Sequence, residues 1–307
     1  MDIYLPIAQI AVNWALLIGL GLAVGFLSGM LGVSGGFVTT PLLIFYGIPA
    51  AVAVASQASP VAAASLVGAI SKGGSKSVDY KMGLWLLVGG LSGTVVGVYI
   101  FKELQQTGQI DFAIKASYLL LLSSIGSMML YESLRAVLAA RKGSPVPVHS
   151  RGQHTWIHNL PFKARFYRSR LYISIIPVIT LGFFVGILTV ILGTGGAFIL
   201  IPAKVYVLRM RTNLAIGTSQ FQMFIVACMA TMLHAMVDHT VDVVLALVLV
   251  VGGVIGAQLG ASMGSRLKGE ELRTILAVLI LAIAARLLFG LVITPSDLYT
   301  LSIHVQG

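Results

Sequence analysis

Charge is scarce in this chain, and acidic charge scarcer still. Only 10% of the 307 residues are charged, with 10 acids against 20 bases. A soluble domain carries roughly 25% charged residues, so this sequence has too little polar surface to cover itself in water. Cysteine is nearly absent: the lone Cys228 excludes an internal disulfide and any site built from several thiolates. The basic stretch that opens a secretory signal is missing too. Residues 1–6 hold Asp2 and neither Lys nor Arg, so the apolar segment that follows is expected to stay as the first helix. A net charge of +10 would suggest nucleic acid for a soluble protein. Here the bases gather in loops between apolar runs, where orientation in a membrane accounts for them and no nucleic-acid partner is needed.

Hydrocarbon is what the chain has in excess, at 57% hydrophobic residues and a mean hydropathy of +0.96. Apolar stretches recur at residues 8–31, 50–71, 82–101, 112–131, 171–192, 212–233, 243–264 and 274–293. Most approach the ~20 residues that cross ~30 Å of hydrocarbon as helix. They lack the inside/outside alternation of a membrane barrel, and the expected fold is therefore an all-α polytopic membrane protein embedded in a lipid bilayer.

The two halves repeat. Residues 24–42, VGFLSGMLGVSGGFVTTPL, lie over residues 185–203, VGILTVILGTGGAFILIPA, with identities at Val24, Gly25, Leu27, Leu31, Gly32, Gly35, Phe37 and Pro41. Farther on, Ser56-Gln57 matches Ser219-Gln220, Val78-Asp79 matches Val241-Asp242, and Gly89, Gly90, Gly93 and Gly97 match Gly252, Gly253, Gly256 and Gly260. Such duplication organises the chain as an N-terminal repeat at 1–140, a linker at 141–170 and a C-terminal repeat at 171–307. The linker holds seven Lys or Arg, three His and no acid, which expects it in the cytoplasm. Lys72, Lys76 and Lys81 then also fall inside, as do Arg209 and Arg211, whereas loops 45–50 and 234–240 contain no Lys or Arg. Equivalent loops thus face opposite sides, and the repeats are expected to be inverted, as in many secondary transporters. For the count to close, the first helix of each half must turn back at its glycines. Each repeat is then a Gly-rich broken or re-entrant helix pair plus three transmembrane helices.

The candidate site follows from that elbow. Gly32, Ser34, Gly35 and Gly36 in one half, and Gly193, Thr194, Gly195 and Gly196 in the other, would each start a short helix whose unsatisfied N–H groups and positive dipole end suit an anion. The plainer alternative is close helix packing through small residues. A second duplicated set joins them: Ser56, Gln57 and Ser59 over Thr218, Ser219, Gln220 and Gln222, whose hydroxyls and amides can donate to an anion without a buried charge, or bridge helices. Arg286 lies inside an apolar span and is either a pathway residue or a cation snorkelling to the outer surface. Lys204 reads as an interfacial anchor, with a pathway role as its alternative, and Asp79 and Asp242 as helix caps, with proton coupling as theirs. His234, Asp238 and His239 read as a solvated external loop, and the Gly89 series and its partner as helix packing. No metal site or cofactor is expected.

With these residues in hand, the chain resembles the sulfite exporter TauE/SafE family of anion permeases. The likeness is carried by the motif from Gly25 to Pro41, the Ala-Ser-Gln and Thr-Ser-Gln segments at 55–57 and 218–220, and the long basic middle loop. It implies a permease of the bacterial cell membrane for a sulfur-containing anion such as sulfite or a short organosulfonate, often in the export direction, with a proton or ion as a possible coupling partner. The halves depart from each other at Val190 against Gly29 and Ala197 against Gly36, so unequal elbows are expected. Two rivals stand beside this reading: a passive anion channel, and an intramembrane serine protease suggested by the Gly32-Val33-Ser34-Gly35 pattern, which would need a nearby His base.

Overall fold

The computed structural model describes residues 2–31, 35–73, 77–141, 161–169, 171–206, 208, 210–264 and 269–292. Its first elements are β1 (Asp2–Leu5), β2 (Ile10–Asn13), α1 (Trp14–Leu31), α2 (Gly36–Phe45), α3 (Ala50–Gly73), α4 (Tyr80–Gln106) and α5 (Ile110–Arg141). Then come β3 (Lys163–Phe166), β4 (Leu171–Ser174), α6 (Ile175–Leu192), α7 (Ala197–Tyr206), α8 (Thr212–Leu233), a π-helical turn (His234–Asp238), α9 (Val243–Gly264) and α10 (Gly269–Val292). The order of two strands followed by a long helix, a short helix and three long helices thus occurs twice. Helices α3, α4, α5, α6, α8 with its π turn, and α9 are each long and apolar enough to cross a membrane.

The hairpins are a departure from the expected stretches, because residues 8–13 are turn and strand, and residues 171–174 strand, where helix is expected. Each is a two-stranded antiparallel ribbon, pairing Asp2 with Asn13 in one and Lys163 with Ser174 in the other. The last hairpin residue then fixes the helix start. Asn13 Oδ1 accepts from Ala15 N at 3.0 Å, and Ser174 Oγ accepts from Ile176 N at 3.2 Å. These bonds satisfy first-turn N–H groups that no intrahelical carbonyl reaches. The second hairpin straddles residue 170, where the linker meets the C-terminal half.

Helix association inside a membrane has no water to drive it, so small residues that let backbones approach become decisive. Helix α1 lies along α9, and α4 along α6. A methyl group added at Gly25 or Gly29 of α1 would overlap the carbonyl of Gly253 or Ala257, and one at Gly93 of α4 would overlap that of Phe183. The glycines of α9 return the contact, Gly256 meeting Leu22 and Gly260 meeting Phe26. The two small-residue series are packing surfaces, and each joins the first long helix of one half to the third long helix of the other. Helix α3 packs on α8, and α5 on α10. The largest buried apolar cluster spans both halves, with Phe37, Val54, Phe101 and Tyr118 beside Val190, Leu192, Ile280 and Leu287.

Candidate functional site

Both helix breaks are present. Helix α1 stops at Leu31 and α2 starts at Gly36; α6 stops at Leu192 and α7 starts at Ala197. Gly32 and Ser34 lie outside the described residues. In the second break, Gly193 ends α6 in the left-handed region (φ 63°, ψ 8°), its N–H bonded to Thr189 O at 2.9 Å, and Gly195 and Gly196 follow at φ 69° and 63°. Only glycine adopts such a run without strain. At Gly35, the position matching Gly196, φ is instead −74°. The two halves therefore differ in backbone hand at this matched position.

The breaks meet. A Cβ placed on Gly36 would stand 3.0 Å from both the carbonyl oxygen of Gly193 and the Cα of Thr194. A Cβ on Gly193 would overlap the carbonyl of Val54 in α3. These glycines are where two backbones and a third helix come together, and a side chain at either would push them apart.

A small, partly open cleft of about 30 Å³ lies at the first break. Its walls are Gly21, Gly25 and Ser28 of α1, Gly35, Gly36 and Thr39 at the start of α2, Gln57 and Pro60 of α3, and Gly253 of α9. Glycines supply most of the room. Gly35 begins α2 without a side-chain cap, its carbonyl taken by Val38 N, Thr39 N and Thr39 Oγ1. Gln57 is 3% exposed, and its Oε1 has no hydrogen-bond partner. An amide can be turned over to present Nε2 instead, so this side chain can donate to a guest or accept from one. Pro60 lacks an N–H, which leaves the carbonyl of Ser56 without its intrahelical donor. Polar backbone and amide groups thus collect in a region otherwise lined by glycine and valine.

Of the predicted residues, the cleft brings together Gly35, Gly36 and Gln57, with Gly193 and Thr194 directly behind Gly36. The others sit nearby or serve the frame. Ser56 Oγ accepts the backbone N–H of Asp242 at 2.9 Å, and Thr218 Oγ1 that of Asp79 at 3.0 Å. Gln220 lies against Gly68 of α3, while Gln222 Nε2 donates to the Leu86 carbonyl of α4 at 3.3 Å. Ser59 is partly buried on α3. Arg286 is apart from the cleft, exposed, with its guanidinium 5.6 Å above the ring of Phe45 at the far end of α2.

Asp79 and Asp242 are caps, as their positions before α4 and α9 indicated. Asp79 Oδ1 accepts from Met82 N, and Asp242 Oδ1 from Val244 N and Leu245 N. Each also does a second job that the sequence did not announce. Asp79 Oδ2 accepts from Ser169 N at 3.0 Å and Ser169 Oγ at 2.6 Å in the β3–β4 turn, and Asp242 Oδ2 from Ile7 N at 3.0 Å in the β1–β2 turn. Each hairpin is pinned to a helix start in the opposite half.

Two expectations are corrected. Lys204 is not an interfacial anchor: it is 0% exposed, and its Nζ donates to Ser219 Oγ at 3.0 Å, with Asp79 supplying electrostatic attraction. The signal for it was a single cation directly after the repeated motif, where the matched residue of the first half is Leu43. His234 and Asp238 are not a solvated loop either. Their side chains are buried and bonded to each other at 2.9 Å within the π turn, while His239 is exposed. Ser28 and Thr39, which line the cleft, were also unforeseen; a lone serine in α1 and one of two adjacent threonines in α2 are patterns too common to single out.

Comparison with known proteins agrees with this architecture. The chain is 24% identical over 235 residues to the probable membrane transporter protein YunE of Bacillus subtilis (strain 168), covering 74% of this chain and 80% of that protein. To the probable membrane transporter protein YjnA of the same organism it is 25% identical over 219 residues, 70% of this chain and 77% of that one. No solved structure matches at a significant level. Residues 17–287, which span from the first turn of α1 to the last turns of α10, match the family described as Sulfite exporter TauE/SafE, and the chain belongs to that family of multi-pass membrane transporters.

Proposed function

We propose that this transporter is a secondary permease for a small sulfur-containing anion, such as sulfite or a short organosulfonate, working in the export direction. The anion sits near the midplane, between Gly-rich elbows contributed by two repeats of inverted topology. The observation that carries the reading is the cleft at the first break, where the N-terminal end of α2 and the buried Gln57 amide converge in a glycine-lined space. A helix N-terminus offers backbone donors and partial positive charge, which favours anions over cations. Glycine walls let the guest reach the backbone itself.

Inversion is supported by how the halves interlock. Each hairpin packs on the opposite half's capping aspartate, and α1 on α9 is matched by α6 on α4. Two copies related by an axis in the membrane plane would make such reciprocal contacts. The sulfur preference leans on the family's description alone. Lys204 adds a buried amine whose Nζ donates to Ser219 Oγ. The protease reading falls with the family assignment, since this is a family of transporters.

Purified protein in liposomes tests the reading directly. Uptake of labelled sulfite or isethionate, saturable and competed by unlabelled sulfonates, is the expected result. Robust flux of a cation or neutral solute, with none for any sulfur oxyanion, would overturn it.

A further inference from the structure

We infer that His234 and Asp238 form a proton-binding site that couples proton movement to the α6–α7 break; the inference takes from the reading above only that the break moves during transport. The pair is the ion pair found among the described residues, and both side chains are fully buried. Ionisable groups inside a membrane-spanning segment are costly and are retained for function. These two lie at the end of the span 213–238, in a five-residue π turn. Such turns often mark functional positions within helices.

The bonding sets the proton count. His234 Nδ1 faces Asp238 Oδ2 at 2.9 Å, and Nε2 faces the Val190 carbonyl at 3.2 Å. A carbonyl can only accept, so Nε2 carries a hydrogen. The Nδ1 contact then needs one more proton, placed on Nδ1 as an imidazolium facing a carboxylate, or on Oδ2 as a carboxylic acid donating to a neutral ring. Either way the arrangement is net neutral and holds one proton beyond imidazole plus carboxylate. Remove that proton and the ring keeps a single hydrogen: on Nε2 it leaves a bare Nδ1 facing a carboxylate oxygen, and on Nδ1 it leaves a bare Nε2 facing the Val190 carbonyl. Either way one of the two bonds is lost, and keeping the bond to Asp238 gives up the one to Val190. Asp238 Oδ1 is buried and has no hydrogen-bond partner.

The second bond makes this a coupling site. Val190 is in the last turn of α6, three residues before Gly193, whose backbone abuts Val54 and Gly36. A displacement of the break carries the Val190 carbonyl with it and removes an acceptor from His234. Linkage requires the converse: loss of the proton weakens the hold on α6 and favours the displaced break. On the elements packed around the pair, Phe101 of α4 meets the imidazole edge to face at 4.7 Å, and α6 contributes no ionisable side chain. Lys102 and Glu103 of α4 are exposed. Tyr118 of α5 donates to the Leu192 carbonyl, Asp111 is exposed, Lys115 is half-buried, and His239 follows the turn in solvent. None is bonded to the pair.

Two measurements test the inference. In nanodiscs holding protein labelled with 15N-histidine, the resonance abolished by H234Q should gain and lose one proton between pH 5 and 9, and D238N should move that transition. A ring that keeps one protonation state across the range overturns the proposal, with no transport needed. In liposomes, isethionate serves as the probe because its sulfonate does not titrate in this range. An imposed pH gradient should drive its accumulation with proton movement reported by an internal dye. H234Q and D238N should each lower the ratio of gradient-driven flux to isethionate counterflow at least tenfold, and an unchanged ratio in both overturns the inference. If wild-type protein carries neither isethionate nor sulfite, the substrate reading fails while the histidine spectrum still decides the pair.

Discussion

Asp242 donates its backbone N–H to Ser56 Oγ at 2.9 Å across 186 residues of sequence, and Asp79 makes the corresponding bond to Thr218 Oγ1 at 3.0 Å. Both bonds are buried. Each ties the start of a long helix in one half to the polar segment of the other. Ser56→Ala and Thr218→Val should each leave a buried N–H unpaired and destabilise the protein by about 1 to 3 kcal/mol. Thermal unfolding in detergent measures this. The two single variants should shift the midpoint alike, and a shift in neither would mean that water replaces the hydroxyls.

Gln57→Ala should weaken anion binding by about 1 to 3 kcal/mol, the range for a buried hydrogen bond to a charged partner. Calorimetric titration with sulfite or isethionate reads it. Lys204→Met separates charge from shape at the neighbouring Ser219. If the amine contributes to anion attraction, affinity falls in this variant and the remaining binding becomes less sensitive to salt. Undiminished affinity in both variants would reduce these side chains to framework.

At the breaks, backbone geometry predicts an order of severity. Gly193→Ala places a side chain at φ 63° and 2.4 Å from the Val54 carbonyl, whereas Gly36→Ala has an ordinary φ and meets Val61 Cγ2 at 2.9 Å and the backbone of Gly193 and Thr194 at 3.0 Å. The valine can turn and the 3.0 Å contacts need only a few tenths of an ångström, but the Val54 overlap is deeper and belongs to a helix. Gly193→Ala should cost on the order of 1 to 3 kcal/mol and lose more transport than Gly36→Ala. Equal effects on flux and melting would remove the distinction between the two elbows.

Topology is decided by labelling. Ile48 and Met210 are buried, so probes belong on their exposed neighbours: Tyr46→Cys and Arg211→Cys, each in a Cys228→Ser background. A membrane-impermeant maleimide applied outside whole cells should label position 46 and spare position 211. Labelling of both from one side would refute the inverted repeat.

Much of this was legible in the residues themselves. Continuous apolar runs set the helix count, because a bilayer leaves the backbone no other partner than itself. The repeated Gly-x-x-Gly and Ser-Gln segments located the breaks and the polar helices, since glycine spacing and helix-breaking residues act locally. Asp79 and Asp242 were readable as caps for the same reason. The short hairpins were hidden, because 8–13 and 171–174 are as apolar as the helices they precede, and what selects strand is pairing with residues 2–5 and 163–166.

Local pattern determined the class of fold, the duplication and the position of its breaks. Only the tertiary structure decided what those residues touch. Lys204 and Arg286 are both single cations in apolar surroundings, yet one is buried on Ser219 and the other lies exposed over Phe45. His234 and Asp238 looked like part of a polar loop until the π turn and α6 enclosed them. Sequence fixes the chemistry a side chain can offer, but burial and partners depend on helices brought together from distant parts of the chain, and in this protein those partners come repeatedly from the opposite half.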